Sequence, residues 1–239
     1  MCGRRGGRDA RRGARIAEQP AAAILAAGGT GARFGSPLPK QFGLLGDRPL
    51  LSWSLDPLVD ARCTPVVIVV PEDMLDEARA ISEGVESATV VAGGRSRQVS
   101  VANGLEHVHT LNVVVHDAAR PFATAAEVHA VLAALDEAAG AIVALPVDDT
   151  LKRVESDRVR ATIDRSGLWR AQTPQAFRTE VLREAHRRAL QDGFQATDDA
   201  QLLERYGRDV RVVRGRATNI KLTRSEDLDL AQALLRSEP

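Results

Sequence analysis

Five short apolar runs divide the chain, at 21–27 (AAAILAA), 66–70 (VVIVV), 89–92 (TVVA), 112–116 (NVVVH) and 141–145 (AIVAL). A continuous run of that length, without polar alternation, predicts a strand buried on both faces. Between the runs lie stretches with apolar residues at helical spacing: 50–59, opened by Pro49 and disturbed by Pro57, then 74–81, 98–107 and 125–138. Residues 179–191 repeat the period, and Thr223-Arg224-Ser225-Glu226 has the form of a capping box that opens a last helix. Strands alternating with helices predict an α/β fold, a mostly parallel sheet with helices on both faces. In such sheets ligands sit beyond the carboxyl ends of the strands.

Two segments break the rhythm. Residues 151–168 alternate weakly around Glu155-Ser156-Asp157, which predicts a β-hairpin too polar for the core and therefore protruding. Residues 1–19 carry six arginines, four glycines and two acids with almost no apolar content, which predicts a disordered tail; a nucleic-acid-binding arm is the other reading. The tail lacks the apolar core of a secretory signal. The expected organisation is this tail followed by one domain over 20–239, with 151–168 as its arm.

Composition narrows the function classes. With 44% apolar and 27% charged residues the chain has an ordinary globular composition, large enough to bury a core. A formal net charge of zero gives no global attraction to nucleic acid. Two cysteines, Cys2 and Cys63, cannot build a disulfide framework, and no apolar run reaches the length of a membrane span. These features predict a cytoplasmic protein with neither a membrane nor a nucleic-acid partner.

The polar oddities fall after the predicted strands. The first run opens into Gly28-Gly29-Thr30-Gly31, followed by Arg33 and Lys40 in a stretch broken by Pro37 and Pro39. Glycines bare the backbone N–H groups to a polyphosphate, and the two cations suit developing phosphoryl charge. No lysine stands at the P-loop spacing, and in the dinucleotide fingerprint the last glycine position is Phe34, with Gly35 one residue late. The later strands lead into Gly93-Gly94-Arg95-Ser96-Arg97, His116-Asp117-Ala118-Ala119-Arg120-Pro121, and Pro146-Val147-Asp148-Asp149-Thr150. The first loop is a further kind of nucleotide loop or a mere turn, but four such loops meeting at one rim predict a site there.

The order of these motifs resembles the nucleotidyltransferases of isoprenoid precursor synthesis, specifically the 2-C-methyl-D-erythritol 4-phosphate cytidylyltransferase family. Arg165-Ser166-Gly167-Leu168-Trp169, Gln172-Thr173-Pro174-Gln175, Thr197-Asp198-Asp199-Ala200 and Asn219-Ile220-Lys221 continue the likeness, which covers about 21–235. The resemblance implies a Rossmann-like sheet of nucleotidyltransferase type and cytidylyl transfer from CTP to a polyol phosphate, assisted by Mg²⁺. It implies that Arg33, Lys40, Arg165 and Lys221 act on phosphoryl charge, with Arg165 and Lys221 gripping the acceptor phosphate. Ala26, Ala27, Gly28, Gly31, Gly94, Ser100, Asp117 and Ala118 would bind the nucleotide, Asp117 also holding Mg²⁺. Arg120, Thr150, Thr173 and Thr197 would surround the acceptor, and the 151–168 arm would clasp a second subunit in a homodimer. Arg95 and Thr218 depart from relatives that carry acids there. Ribitol 5-phosphate as acceptor, and a non-catalytic nucleotide-binding module, are the competing readings.

Other polar groups read as structural. His107 and His109 lack a third metal ligand nearby, Asp148-Asp149 ends a strand, Arg187-Arg188 forms a solvated helix face, and Trp53 and Trp169 pack. Lys221, between Ile220 and Leu222, points away from the core toward the site or water.

Overall fold

The computed structural model describes residues 20–28 and 39–237. The five apolar runs form β1 (Ala21–Ala26), β4 (Val66–Val70), β5 (Ala88–Ala92), β6 (Asn112–Asp117) and β7 (Gly140–Pro146). Two strands that the pattern missed, β10 (Trp169–Arg178) and β11 (Val210–Arg214), complete a seven-stranded sheet of order β11-β7-β10-β6-β1-β4-β5. β1 pairs in parallel with both β4 and β6, β4 with β5, and β7 with β11. β10 alone runs antiparallel, between β6 and β7. That reversal brings its start, rather than its end, to the rim where the parallel strands finish.

Period-two alternation sorts the sheet's side chains into two cores. Ala23, Leu25, Val66, Ile68 and Val114 face one way, against α1 (Leu50–Asp60) and α4 (Ala125–Ala134). Ile24, Val67, Val69, Val113 and Val115 face the other, against α3 (Arg97–Leu105), α5 (Thr179–Asp192) and α6 (Asp199–Arg205). Because both faces are covered, all five residues of β4 are buried. α2 (Leu75–Ile81) flanks the β4–β5 side. A short ribbon, β2 (Leu44–Leu45) and β3 (Arg48–Pro49), packs with α7 (Glu226–Ser237) around Leu45, Leu50 and Leu222.

Several expectations shift in detail. α1 runs through Pro57, and α4 stops at Ala134, short of the expected 138. The cap of α7 is made by Asp227 rather than Glu226: its carboxylate accepts from the backbone of Thr223 and Arg224 and from the Thr223 hydroxyl. A full capping box does open α4, between Thr124 and Glu127. Trp53 donates to the Leu45 carbonyl at 2.9 Å, while Trp169 is 43% exposed instead of packed.

The arm is β8 (Leu151–Glu155) paired with β9 (Arg158–Ile163), a separate sheet whose side chains are almost all exposed. Ser156 and Asp157 turn it with φ of 47° and 60°. Two successive positive φ values give the turn whose twist matches a hairpin, which short polar residues tolerate best. No helix among the described residues is long and apolar enough to cross a membrane.

Candidate active site

The rim holds two adjoining cavities. The larger, about 540 Å³, lies over the ends of β1, β4, β5 and β6 and is floored by Ala26, Ala27, Gly28, Gly94, Ser100 and Ala118. The floor depends on missing side chains. A Cβ on Gly28 would come 3.0 Å from the Ser100 hydroxyl, and one on Gly94 would collide with Val99 Cγ1 at 2.2 Å. The Ser100 hydroxyl accepts from Gly94 N–H at 3.0 Å and donates to the Ser96 carbonyl at 2.9 Å. Its proton is therefore committed to the loop, and what it offers a ligand is a lone pair.

Cations line the same cavity: Lys40, Arg95, Arg97 and Lys221, against the acids Glu72 and Asp117. Lys40 opens a single 3₁₀ turn (Lys40–Phe42) and donates to the Leu222 carbonyl, while Gln41 donates to the Ala27 carbonyl. The Gln41 contact ties this turn to the end of β1, and the Lys40 contact ties it to the segment that precedes α7. α3 starts at the cavity wall, where Ser96 caps it by accepting from Val99 N–H. Its positive N-terminal end adds to the preference for anions.

The second cavity, about 190 Å³, is lined by Arg120, Gln172, Thr173, Thr197 and Asp198, and shares Arg97, Asp117 and Lys221 with the first. Those three residues are the wall between the cavities. Asp117, at the end of β6, accepts from Lys221 Nζ at 2.6 Å and from Arg97 Nε at 2.9 Å. Burial works against its charge, but Arg97 and Lys221 outweigh that and hold the carboxyl well below its ordinary range. Lys221 reaches Asp117 from a loop, without the strand alternation that the sequence suggested.

Behind Asp117 a buried relay fixes the backbone. Asp117 N–H donates to Thr173 Oγ1 at 3.0 Å, so that hydroxyl gives its own proton to His116 Nδ1 at 2.9 Å. His116 Nε2–H then faces the Arg120 carbonyl at 3.2 Å. These partners suit the neutral ring, which burial favours by pushing its pKa down to about 4. Arg120 is buried and spends Nη1 on the Asn219 carbonyl and Nη2 on the Ala171 carbonyl. Its position is at the second cavity, but it braces three chain segments there.

The cavities thus gather Lys40, Lys221, Ala26, Ala27, Gly28, Gly94, Ser100, Asp117, Ala118, Arg120, Thr173 and Thr197. Thr150 and Arg165 are not among the lining residues: both are exposed at the base of the arm, just outside the closing pair Leu151↔Ile163. Gly31 and Arg33 lie outside the described residues. The main omission of the sequence reading is Arg97, given no role although it stands in the glycine-rich motif. No group of three or more His, Cys, Asp or Glu among the described residues is placed to hold a metal ion.

Comparison with known proteins agrees with this geometry. Residues 21–237 match the family model described as 2-C-methyl-D-erythritol 4-phosphate cytidylyltransferase (IspD). A protein of that name from Aquifex aeolicus is 44% identical over 216 residues, covering 90% of this chain and 98% of the relative. Its namesake from Syntrophus aciditrophicus is 42% identical over 228 residues, covering 90% and 96%. Among solved structures, the 4-diphosphocytidyl-2C-methyl-D-erythritol synthase of Anaerococcus prevotii superimposes with a TM-score of 0.82 at 30% identity, over 93% of this chain and 99% of that one. The cytidylyltransferase of Thermus thermophilus gives 0.77 at 36% identity, over 91% and 99%. Fold and rim together define an α/β nucleotidyltransferase. The chain belongs to the 2-C-methyl-D-erythritol 4-phosphate cytidylyltransferase family.

Proposed function

We propose that the protein transfers the cytidylyl group of CTP to 2-C-methyl-D-erythritol 4-phosphate, releasing pyrophosphate, in the non-mevalonate isoprenoid route. Family membership supports the reaction, and the observation that carries its placement is the pair of cavities sharing one Asp117–Lys221 wall. The cationic cavity takes the nucleotide and the smaller one the acceptor. An acceptor phosphate oxygen attacks the α-phosphorus, and the bond to the β-phosphate breaks with its electron pair leaving on pyrophosphate. A phosphate monoester, with a second pKa of about 6, is already a nucleophile near neutrality, so the protein need supply no base. The task is to bring one anion in line against another, by positioning and charge neutralisation.

In this reading Lys40, with Arg33, neutralises charge on the α-phosphoryl group, and Lys221 holds the acceptor phosphate beside Asp117. The Ser100 lone pair suits an amine donor such as that of cytosine. Asp117 fits Mg²⁺ only as a single protein ligand to an ion carried mainly by the nucleotide phosphates, the usual habit of that cation. Bound there, the ion supplies further neutralisation of phosphate charge. Thr150 and Arg165 serve the acceptor cavity of a second copy, to which the arm delivers them in a homodimer. The protein works in the cytoplasm, with no membrane or nucleic-acid partner.

The test is pyrophosphate release with Mg²⁺, CTP and 2-C-methyl-D-erythritol 4-phosphate, with ribitol 5-phosphate in parallel and ATP, GTP and UTP as substitutes. Release confined to CTP with methylerythritol phosphate is expected, and should vanish with EDTA. Release only with ribitol phosphate would overturn the acceptor, and none with any pair would overturn the reaction.

A further inference from the structure

Arg97 is the first residue of α3, and its guanidinium is forked between two carboxylates that are far apart in sequence. Nε meets Asp117 Oδ1 at 2.9 Å, and Nη1 meets Asp199 Oδ2 at 2.7 Å. Asp199 is 1% exposed and lines neither cavity. Its other oxygen accepts from the Nε2–H of His186, a buried ring on α5, at 3.2 Å. The chain of contacts therefore runs Lys221–Asp117–Arg97–Asp199–His186, from the shared wall into the second core. Gln98, the next residue, reinforces it by donating to the Phe194 carbonyl at 3.1 Å and accepting from Ala196 N–H at 2.8 Å. The same first turn of α3 thus holds the segment leading to Thr197 and Asp198, which line the acceptor cavity.

We propose that Arg97 is a positioning residue for the transfer: anchored from behind by Asp199 and His186, it fixes the Asp117 carboxylate, and through it the Lys221 ammonium, at the junction of the two cavities. The inference rests on the reaction proposed above. Its physical basis is geometric. A carboxylate paired only with a flexible lysine could rotate and carry the ammonium with it. A rigid planar fork seated on a buried second carboxylate removes that freedom. The anchor lines neither cavity, and its contact with the wall is made through Arg97.

The experiment compares steady-state kinetics and melting temperatures of the wild type, Asp199→Asn, Arg97→Lys and the double variant, with CTP and 2-C-methyl-D-erythritol 4-phosphate. Asp199→Asn should lower kcat at least about tenfold while KM for CTP changes less than about threefold, an effect passed on by positioning rather than by binding. Arg97→Lys should lose at least as much, since one ammonium cannot reproduce the two-pronged contact. The double variant should be no worse than Arg97→Lys alone within about threefold, as expected of residues acting as one unit. Wild-type kcat in folded Arg97→Lys would overturn the proposal, because charge alone would then suffice. That variant, altered at the rim, also decides the matter if Asp199→Asn does not fold. So would losses in the two single variants that simply multiply, or a lowered melting temperature with kcat unchanged. A wild type silent with every nucleotide and acceptor would overturn the reaction and this proposal with it, whereas an active wild type matched by its variants overturns the proposal alone.

Discussion

The shared wall and the arm are built from similar residues on opposite principles. At the wall, Arg97, Asp117 and Lys221 lock one another, with Asp199 as the buried backing, at 2.6–2.9 Å. On the arm, Lys152 reaches Thr162 and Arg160 reaches Glu155 at 3.3 Å, all in solvent, where such contacts contribute little. One region spends its charges on fixing geometry before a ligand arrives. The other displays Thr150 and Arg165 at its base with no core beneath them. In the proposed dimer this contrast has a reason: the wall serves its own chain, and the arm takes its final shape against another.

The largest expected effect concerns two lysines of the larger cavity. Lys40→Ala and Lys221→Ala should each reduce kcat/KM by about 10²–10³, the range for removing one group aimed at transition-state charge. Steady-state pyrophosphate release measures it, with CTP binding followed separately by calorimetry. Near-normal turnover in either variant would contradict the role of that lysine.

Stability should divide the molecule in the same way. Leu182, fully buried on α5, should cost about 3 kcal/mol when cut to Ala, whereas Val159→Ala on the arm should stay within about 0.5 kcal/mol. Urea unfolding of the isolated protein at low concentration measures both. An arm already seated on a well-packed surface would lift the second figure toward the first.

A smaller effect follows from His116. Its folded pKa, about 4, lies below its ordinary 6.5, so the unfolded chain takes up the proton first as pH falls. The stability tied to the neutral ring is complete above 6.5, declines as pH drops through that value, and is exhausted below 4. Between pH 7 and pH 5 this group should account for a loss of about 2 kcal/mol. Denaturation midpoints across that range measure the slope, and His116→Gln should flatten it. Equal slopes in both proteins would contradict a buried neutral ring.

Much of this architecture was legible before the fold. Val66-Val67-Ile68-Val69-Val70 has no polar face to offer, so burial on both sides was the only reading consistent with it. Gly28, Gly93 and Gly94 marked the rim for a similar reason, since at each the chain passes too close to Ser100 or Val99 to admit a Cβ. β10 escaped notice because Gln172, Thr173 and Gln175 give it the look of a loop, although they are buried partners of Asn219, His116 and Asp198. Arg97 was visible as a residue but not as a hub. Its second carboxylate is 102 positions away, and no local period announces a tertiary ion pair. What the chain's order conceals is which polar residues the sheet folds together.

The measurement that bears most directly on the account is complementation between Lys40→Ala and Arg165→Ala. Each variant alone should be nearly inactive. If a site takes Lys40 from one chain and Arg165 from its neighbour, mixing and reassociating equal amounts should restore about one quarter of the wild-type sites, because half of the dimers are mixed and each mixed dimer has one intact site. A mixture no more active than the two variants apart would show that both residues act within the same chain, and would contradict the shared site.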